Sequence, residues 1–248
     1  MDKKFLFLIV LGMLLGGKAN GQSYSDAFDK AFNTDNVAAQ REALAVWQKE
    51  APDDVNLFIA RYNYYANRSI ALNAEGAAEV ADMALADSGL VAIEEGIRRY
   101  PDRLDMRFGK IFFLGELRRW DAFEEEIMRM LDHSVEIDHR WSFPNVNEGM
   151  EDLVSEAVYD YMSTMFDAMA DVFKPTAEDN AMRQRIQRVA RRSVQLFPAD
   201  VNAIYTLAVS YIPGDLEKAM RYLKRAVELA PANKMIQDTL EAVRKQLE

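Results

Sequence analysis

The chain has 248 residues, of which 50% are hydrophobic, so it can bury a substantial core and is not a disordered segment. Its formal net charge of −10 is a poor match for a phosphate backbone, which proteins recognise through Lys and Arg, so nucleic acid is not an expected partner. The absence of cysteine excludes disulfides, thiol catalysis and metal sites built on thiolates.

The first 21 residues have the layout of a secretory signal peptide. Lys3 and Lys4 precede the apolar run 5–15, and small residues follow up to position 21. The apolar run is about half the length of roughly 20 residues that a membrane-spanning helix needs, so cleavage before Gln22 is favoured over anchoring. We therefore expect an exported protein, periplasmic or secreted, with no stable membrane insertion after cleavage.

Helical periodicity continues through the rest of the chain, and no segment shows convincing strand alternation. Most of the prolines fall where these helices would end. The predicted helices span 24–33, 36–50, 53–67, 83–99, 103–117, 120–132, 147–172, 177–196, 200–212, 215–229 and 232–247.

A short motif recurs at four of the predicted helix junctions. In each case a helix ends at Pro, and Asp or Asn follows one or two residues later, in the segments 47–53, 96–102, 193–200 and 226–233. Pro disfavours helical backbone in the residue before it, and Asp or Asn can accept from the free N–H groups that start the next helix. The junctions therefore predict consecutive helices joined by short, capped turns.

The clearest repeat lies between Pro198 and Pro231. It combines a first helix, a Gly-Asp turn and a second helix with small and large residues at fixed positions: Ile204, Leu207, Ala208, Tyr211, Gly214, Asp215, Ala219, Leu223 and Ala226. This pattern resembles the tetratricopeptide repeat (TPR) family. The resemblance implies an all-α fold, with antiparallel helical hairpins stacked as a TPR-like right-handed α-solenoid over residues 22–248 and a loop near 134–149 as a candidate break.

The C-terminal helix, predicted at 232–247, fits the position of a capping helix. It has one apolar stripe, formed by Ile236, Leu240, Val243 and Leu247, and its other positions are polar. A stack of repeats needs a terminal element that is polar on its outer side. The pattern therefore favours a stacked solenoid over a closed bundle.

The resemblance also implies a function, which is binding a protein or peptide segment in a groove lined by the first helices. The residues predicted to line this groove are Asn56, Tyr62, Asn63, Asn202 and Tyr205. Asparagine suits side-on hydrogen bonding to an extended peptide. The Lys and Arg residues with which some family members grip a peptide carboxylate are missing here, so a receptor for chaperone tails is not supported. The expected protein is a non-enzymatic scaffold of the cell envelope.

Two other functions stay open at this point. One is a structural subunit of an envelope assembly, and the other is a carbohydrate or small-molecule binder that uses Tyr62, Trp141 and Phe143. For Trp141 and Phe143, which lie in a long loop, packing onto the protein's own core is favoured over partner binding. Arg185 and Arg192 form either a patch for an acidic segment or ion pairs with the acidic residues of the preceding helix, and the second interpretation is favoured.

Catalytic and metal-binding motifs are not evident in the sequence. His133 and His139 are predicted in a polar loop, and their spacing matches no helical ligand motif, so a solvated loop is favoured over a metal site. The chain contains no nucleophile elbow and no Gly-rich phosphate loop. We therefore expect no enzymatic activity, no cofactor and no metal.

Overall fold

The computed structural model describes residues 22–72, 78–146, 148–171 and 175–248. The predicted signal peptide lies outside these residues. The described residues form eleven helices and one two-stranded sheet: α1 (Gln22–Asn33), α2 (Val37–Glu50), α3 (Val55–Ser69), β1 (Ile70–Leu72), β2 (Ala78–Val80), α4 (Met83–Arg99), α5 (Leu104–Glu116), α6 (Trp120–Glu136), α7 (Met150–Asp167), α8 (Ala177–Leu196), α9 (Val201–Tyr211), α10 (Leu216–Leu229) and α11 (Lys234–Leu247). None of these helices is both long and apolar enough to cross a membrane.

The chain divides into two compact units, and the division passes through α6. Unit 1 contains the residues up to Glu126 and the loop 137–148. Unit 2 contains residues 127–136 and everything from Gly149 to the C-terminus.

Helix starts follow the Pro-Asp motif only in part. Asp200 accepts hydrogen bonds from the N–H groups of the first turn of α9, and Asn233 does the same for α11, as predicted. At the first motif the cap of α3 is Asp54, one residue beyond the predicted position. At the second motif α5 begins after Arg103, which makes no side-chain capping bond.

The core of unit 1 depends on a very close approach of three helices. Phe58 on α3, Ile93 on α4 and Met106 on α5 belong to one buried cluster. A Cβ atom at Gly96 would lie 2.8 Å from the Phe58 Cβ atom and 2.8 Å from the Met106 sulfur. Only glycine therefore allows α4 to pack at this distance from both neighbours.

A small antiparallel sheet interrupts the turn between α3 and α4. β1 pairs with β2 in a register that places Ile70 opposite Val80, and Val80 packs against the buried cluster of unit 1. The sheet lies between the predicted helices 53–67 and 83–99, in a segment for which the sequence predicted neither a helix nor a strand. Each strand has only three residues, too few for an alternating pattern to stand out.

Unit 2 contains the repeat that the sequence shows most clearly. The small residues Ala208, Ala219 and Ala226 are fully buried where α9 meets α10, and they pack with Ile204 and Leu223. Ile236 and Val243 of α11 complete the same cluster, as the predicted apolar stripe requires. The described residues thus form the all-α, TPR-like helical-repeat fold that the sequence predicted.

Candidate functional site

The first helices of the successive hairpins in unit 2 are neighbours. α7 packs against both α8 and α9. The Ser155 hydroxyl on α7 donates to the Asp200 carboxylate at the start of α9. The Tyr205 Oη and Thr239 Oγ1 atoms are 3.1 Å apart, and this hydrogen bond joins α9 to α11. Side chains on the outer stripes of α9 and α11 therefore form one continuous surface.

We call this the first-helix surface. It consists of three side chains from α9 and three from α11, at spacings of three and four residues that place each set on one stripe: Asn202, Tyr205, Val209, Met235, Thr239 and Ala242. All six are exposed or half-buried, and Met235 is 53% exposed.

The first-helix surface is uncharged, although 28% of the residues in the chain are charged. α9 carries no ionisable acid or base apart from its two tyrosines. Asn202 has both a hydrogen-bond donor and an acceptor, Tyr205 and Thr239 have hydroxyl groups, and Val209 and Met235 offer apolar area. The six side chains can therefore hydrogen-bond to a backbone and bury an apolar side chain, and none of them is charged. The exposed pair of Lys234 and Asp238 lies beside them on α11.

The predicted groove residues of unit 1 lie mostly inside the protein. Tyr62 and Asn63 are each 3% exposed. The Tyr62 hydroxyl donates to the Gly109 carbonyl oxygen at 3.0 Å, and burial raises the pKa of this phenol well above its usual value. The side-chain oxygen of Asn63 is buried without a hydrogen-bond partner among the described residues. The prediction that these two residues line an open groove is therefore wrong.

The reason is that α3 is enclosed by its neighbours. It packs against α1, α2 and α4, and the Tyr62 bond joins it to α5. Asn56 near its start is half-buried. Because Asn56 belongs to unit 1 whereas Asn202 and Tyr205 belong to unit 2, the five predicted residues do not form one site within either unit.

The loop 137–148 of unit 1 packs back onto α5. The Ser142 N–H donates to the Asp102 carbonyl at 2.8 Å, and the Leu104 N–H donates to the Ser142 carbonyl at 3.1 Å. The Arg107 guanidinium lies 5.5 Å from the centre of the Trp141 ring, which is 6% exposed. The structure therefore agrees with the packing interpretation of Trp141.

Among the described residues, the three aromatic side chains proposed for a ligand pocket do not line one open pocket. Phe143 is half-buried, with its ring centre 6.0 Å from that of Phe108, while Tyr62 and Trp141 are buried. A cavity of about 600 Å³ lies elsewhere, between residues 212–217 and the end of α11, and no aromatic side chain lines it. The hypothesis of a sugar or small-molecule site built on these three aromatic residues is therefore wrong.

Sequence reasoning missed a buried ion-pair network in unit 1. Glu126 on α6 is 2% exposed and accepts from Arg107 at 3.2 Å and from Lys110 at 2.6 Å. Lys110 also pairs with Glu94 on α4 at 2.5 Å. Burial lowers the pKa of Arg107, and the charge of Glu126 opposes that shift. The arginine and lysine three residues apart on α5 were the sequence signal, but their common partner is on another helix.

The two arginines predicted as a secondary site lie on α8. Arg192 is half-buried and binds the Asp132 carboxylate of α6, at 2.9 Å from Nε and 2.7 Å from Nη2. The expected partners were the carboxylates of α7, so the partner prediction is wrong for Arg192. Arg185 is half-buried.

The histidines differ in position from the prediction. His133 lies within α6 rather than in a loop, with its Nδ1 atom 3.0 Å from the Glu136 carboxylate. His139 follows the helix and has a positive φ of 56°. Within the described part of the chain, no three or more His, Asp and Glu side chains are placed to hold a metal ion.

Comparison with known proteins gives similarity only at the level of three-dimensional structure. No protein-family model matches the sequence, and no curated protein matches it. Among solved structures, MamA is 11% identical, with 83% of this chain and 89% of that chain covered and a TM-score of 0.45. YrrB, described as a TPR protein with an unusual peptide-binding site, is 10% identical, with 96% and 97% covered and a TM-score of 0.45.

A third similar structure is TTC0263, a thermophilic TPR protein of Thermus thermophilus. It is 11% identical, with 90% of this chain and 97% of that chain covered and a TM-score of 0.38. Similarities of this size carry no information on function.

Proposed function

We propose that the protein is a non-enzymatic interaction scaffold that binds a segment of a partner protein on the first-helix surface of unit 2. The observation that carries this proposal is the exposure of a contiguous uncharged stripe around the Tyr205 to Thr239 hydrogen bond. A surface of this composition stands out on a strongly acidic chain, because most exposed helical positions here are charged.

The chemistry of the surface fits an extended, uncharged segment. An extended backbone offers alternating N–H and C=O groups. The Asn202 side chain can accept from an N–H group and donate to a C=O group. Met235 is flexible and polarisable, so it can adapt to different apolar side chains. The helices below it are held by the buried alanine cluster, so little ordering of the surface is needed on binding.

The test is selection of binding peptides from a random peptide library displayed on phage, followed by affinity measurements. The variant Asn202→Ala/Tyr205→Ala/Met235→Ala should weaken the selected peptides about tenfold or more, which corresponds to about 1.4 kcal/mol. The control variant Gln195→Ala/Glu228→Ala changes exposed residues on α8 and α10 and should bind as the unaltered protein does. Peptides that bind both variants equally would exclude the first-helix surface as the site.

The second part of the proposal is that binding takes place outside the cytoplasm, in the cell envelope. It is supported by the signal-like layout of the first 21 residues. Intact-mass measurement of the protein recovered from an envelope extract should give a chain that begins at Gln22. Recovery from the cytosol with Met1 retained would contradict export.

A further inference from the structure

The second helices of unit 2 carry a basic face in an acidic protein. α8 contains five arginines and α10 contains four basic residues, against two acidic residues in each. The C-terminal end of α8 lies near α10, because Val194 of α8 packs against the core cluster that includes Ala226, and Arg225 of α10 donates to the Pro198 carbonyl in the turn after α8 at 2.5 Å.

Three cations on this face have no ion-pair partner among the described residues. We define the basic face by them: Arg191 on α8, with Arg221 and Lys224 on α10, all exposed. Arg191 uses its Nε–H on the Gln187 carbonyl of its own helix, at 2.9 Å. Unpaired cations of this kind attract carboxylates, most strongly at low ionic strength.

α7, in the same unit, has the opposite character. It contains five acidic residues and no basic residue. Asp152, Glu156 and Asp160 follow one another at four-residue steps on its exposed side, and none forms an ion pair with a described residue. We call these three the acidic face. Partial burial, and then the charge of Glu156, raise the pKa of Asp160, and a nearby cation would oppose this shift by favouring the ionised carboxylate.

The two faces agree in size as well as in sign. Asp160 lies eight residues after Asp152 on the helix, a rise of about 12 Å. On the basic face the long dimension runs from α8 to α10, and neighbouring helix axes are typically about 10 Å apart. Three carboxylates can thus face three cations over a similar distance.

We propose that copies of this chain associate head to tail, with the basic face of one copy on the acidic face of the next. Because the two faces are different surfaces, each copy keeps one free after pairing, so the contact is heterologous and builds chains or rings. Exposed ion pairs are individually weak and are screened by salt, so the association depends on several pairs acting together and is sensitive to ionic strength. It does not use the first-helix surface and goes beyond the scaffold function proposed above.

Sedimentation velocity tests this assembly with two neutralised variants. Glu156→Gln/Asp160→Asn neutralises two of the three carboxylates of the acidic face, and Arg221→Gln/Lys224→Gln neutralises two of the three cations of the basic face. The unaltered protein should form species larger than a dimer at about 0.1 mM protein and about 20 mM salt, and these should dissociate at about 300 mM salt. Each variant alone should stay monomeric.

An equimolar mixture of the two variants gives the sharpest outcome. One complementary pair of faces remains, so the mixture should form a 1:1 dimer and nothing larger. The control Asp238→Asn/Glu241→Gln removes two carboxylates from α11 and should assemble like the unaltered protein.

Three results would overturn the proposal. The first is an unaltered protein that stays monomeric at low salt, which would leave an acidic region of another protein as the occupant of the basic face. The second is a mixture of the two variants that stays monomeric. The third is a control variant that also fails to assemble, which would show an effect of net charge alone.

Discussion

The first helices of the two units use the same kinds of side chain in opposite ways. In unit 1 the Tyr62 hydroxyl donates to the Gly109 carbonyl inside the protein, and the loop after α6 is hydrogen-bonded to the start of α5. In unit 2 the Tyr205 hydroxyl pairs with Thr239 at a half-buried position, and Asn202 beside it is exposed. A tyrosine or an asparagine in a first helix is therefore accessible to a partner only where no further element covers that helix.

The difference extends to what holds each unit together. Unit 1 combines a buried ion-pair network with a helix approach that only glycine permits. Unit 2 packs alanine against leucine and isoleucine in its C-terminal cluster, and Arg191, Arg221 and Lys224 lie at its surface. Substitutions in unit 1 should consequently be more costly than matched substitutions at exposed positions.

The largest expected effect is that of Glu126→Gln. The substitution leaves Arg107 buried without its counter-ion, and we expect a loss of about 3 kcal/mol in the free energy of unfolding. Urea unfolding followed by tryptophan fluorescence measures this loss, since Trp141 contacts Arg107. The control is Glu95→Gln, whose pair with Arg61 is about a third exposed and should be worth less than about 1 kcal/mol. Equal losses would show that burial of the network is unimportant.

A smaller effect is expected at the glycines of α4. Gly96→Ala places a methyl group 2.8 Å from Phe58 and Met106, and the overpacking should cost about 2 kcal/mol. Gly89→Ala is the matched control, because its nearest neighbours are 3.4 Å or more away and alanine favours a helix. Thermal unfolding should show Gly89→Ala unchanged or slightly more stable. A tolerated Gly96→Ala would contradict the close approach of α3, α4 and α5.

Removing one tyrosine hydroxyl from each unit compares the stability of the two units directly. Tyr62→Phe removes a buried hydrogen bond to Gly109 and should cost about 1 kcal/mol in urea unfolding. Tyr205→Phe removes a partly exposed hydrogen bond to Thr239. It should cost only a few tenths of a kcal/mol, because water can replace the lost partner. The opposite order would mean that Tyr205, and not Tyr62, is the structural tyrosine.

An effect no larger than that of Tyr62→Phe is expected at Asp29 on α1, and it depends on pH. One carboxylate oxygen of Asp29 is buried without a hydrogen-bond partner among the described residues. Burial raises the pKa of Asp29 from 3.8 to about 6, against a hydrogen bond from Ser25 that lowers it. The folded state therefore holds this proton more tightly than the unfolded state, so the contribution of Asp29 to stability falls as pH rises from about 4 to about 6.

The substitution Asp29→Asn removes that dependence. It should stabilise the protein by about 0.5 to 1 kcal/mol at pH 8 and by almost nothing at pH 4, where Asp29 is protonated in the folded protein. Urea unfolding at the two pH values measures the difference. A stabilisation of equal size at both would show that the charge of Asp29 is not its cause.

Helix positions could be predicted well from the sequence because their ends are determined locally. The predicted spans 83–99 and 177–196 coincide with α4 and α8. The prediction for α7 was too long at its C-terminal end, where the Asp179 side chain accepts from the Ala170 N–H at 2.7 Å. That bond comes from the following helix, and helical periodicity carries no information about it.

The candidate site was less predictable because periodicity shows that a stripe exists but not what covers it. Tyr62 and Tyr205 occupy comparable places in first helices, yet only Tyr205 reaches the surface. The partner of Arg192 is Asp132, sixty positions earlier in the chain, and no local pattern connects them. The Asn202 and Tyr205 predictions fall on the first-helix surface, and their role there stays a prediction.

The short sheet between α3 and α4 bears on how such a protein can be enlarged. Thirteen residues separate α3 from α4, whereas four separate α9 from α10. Each doubling of a connection's length costs only about 0.6 kcal/mol of closure free energy. The end of a helical hairpin is thus a place where new chain can be added without rearranging the buried residues. By the same logic the 212–215 turn offers an insertion point for a fluorophore tag or a grafted epitope, far along α9 from Asn202.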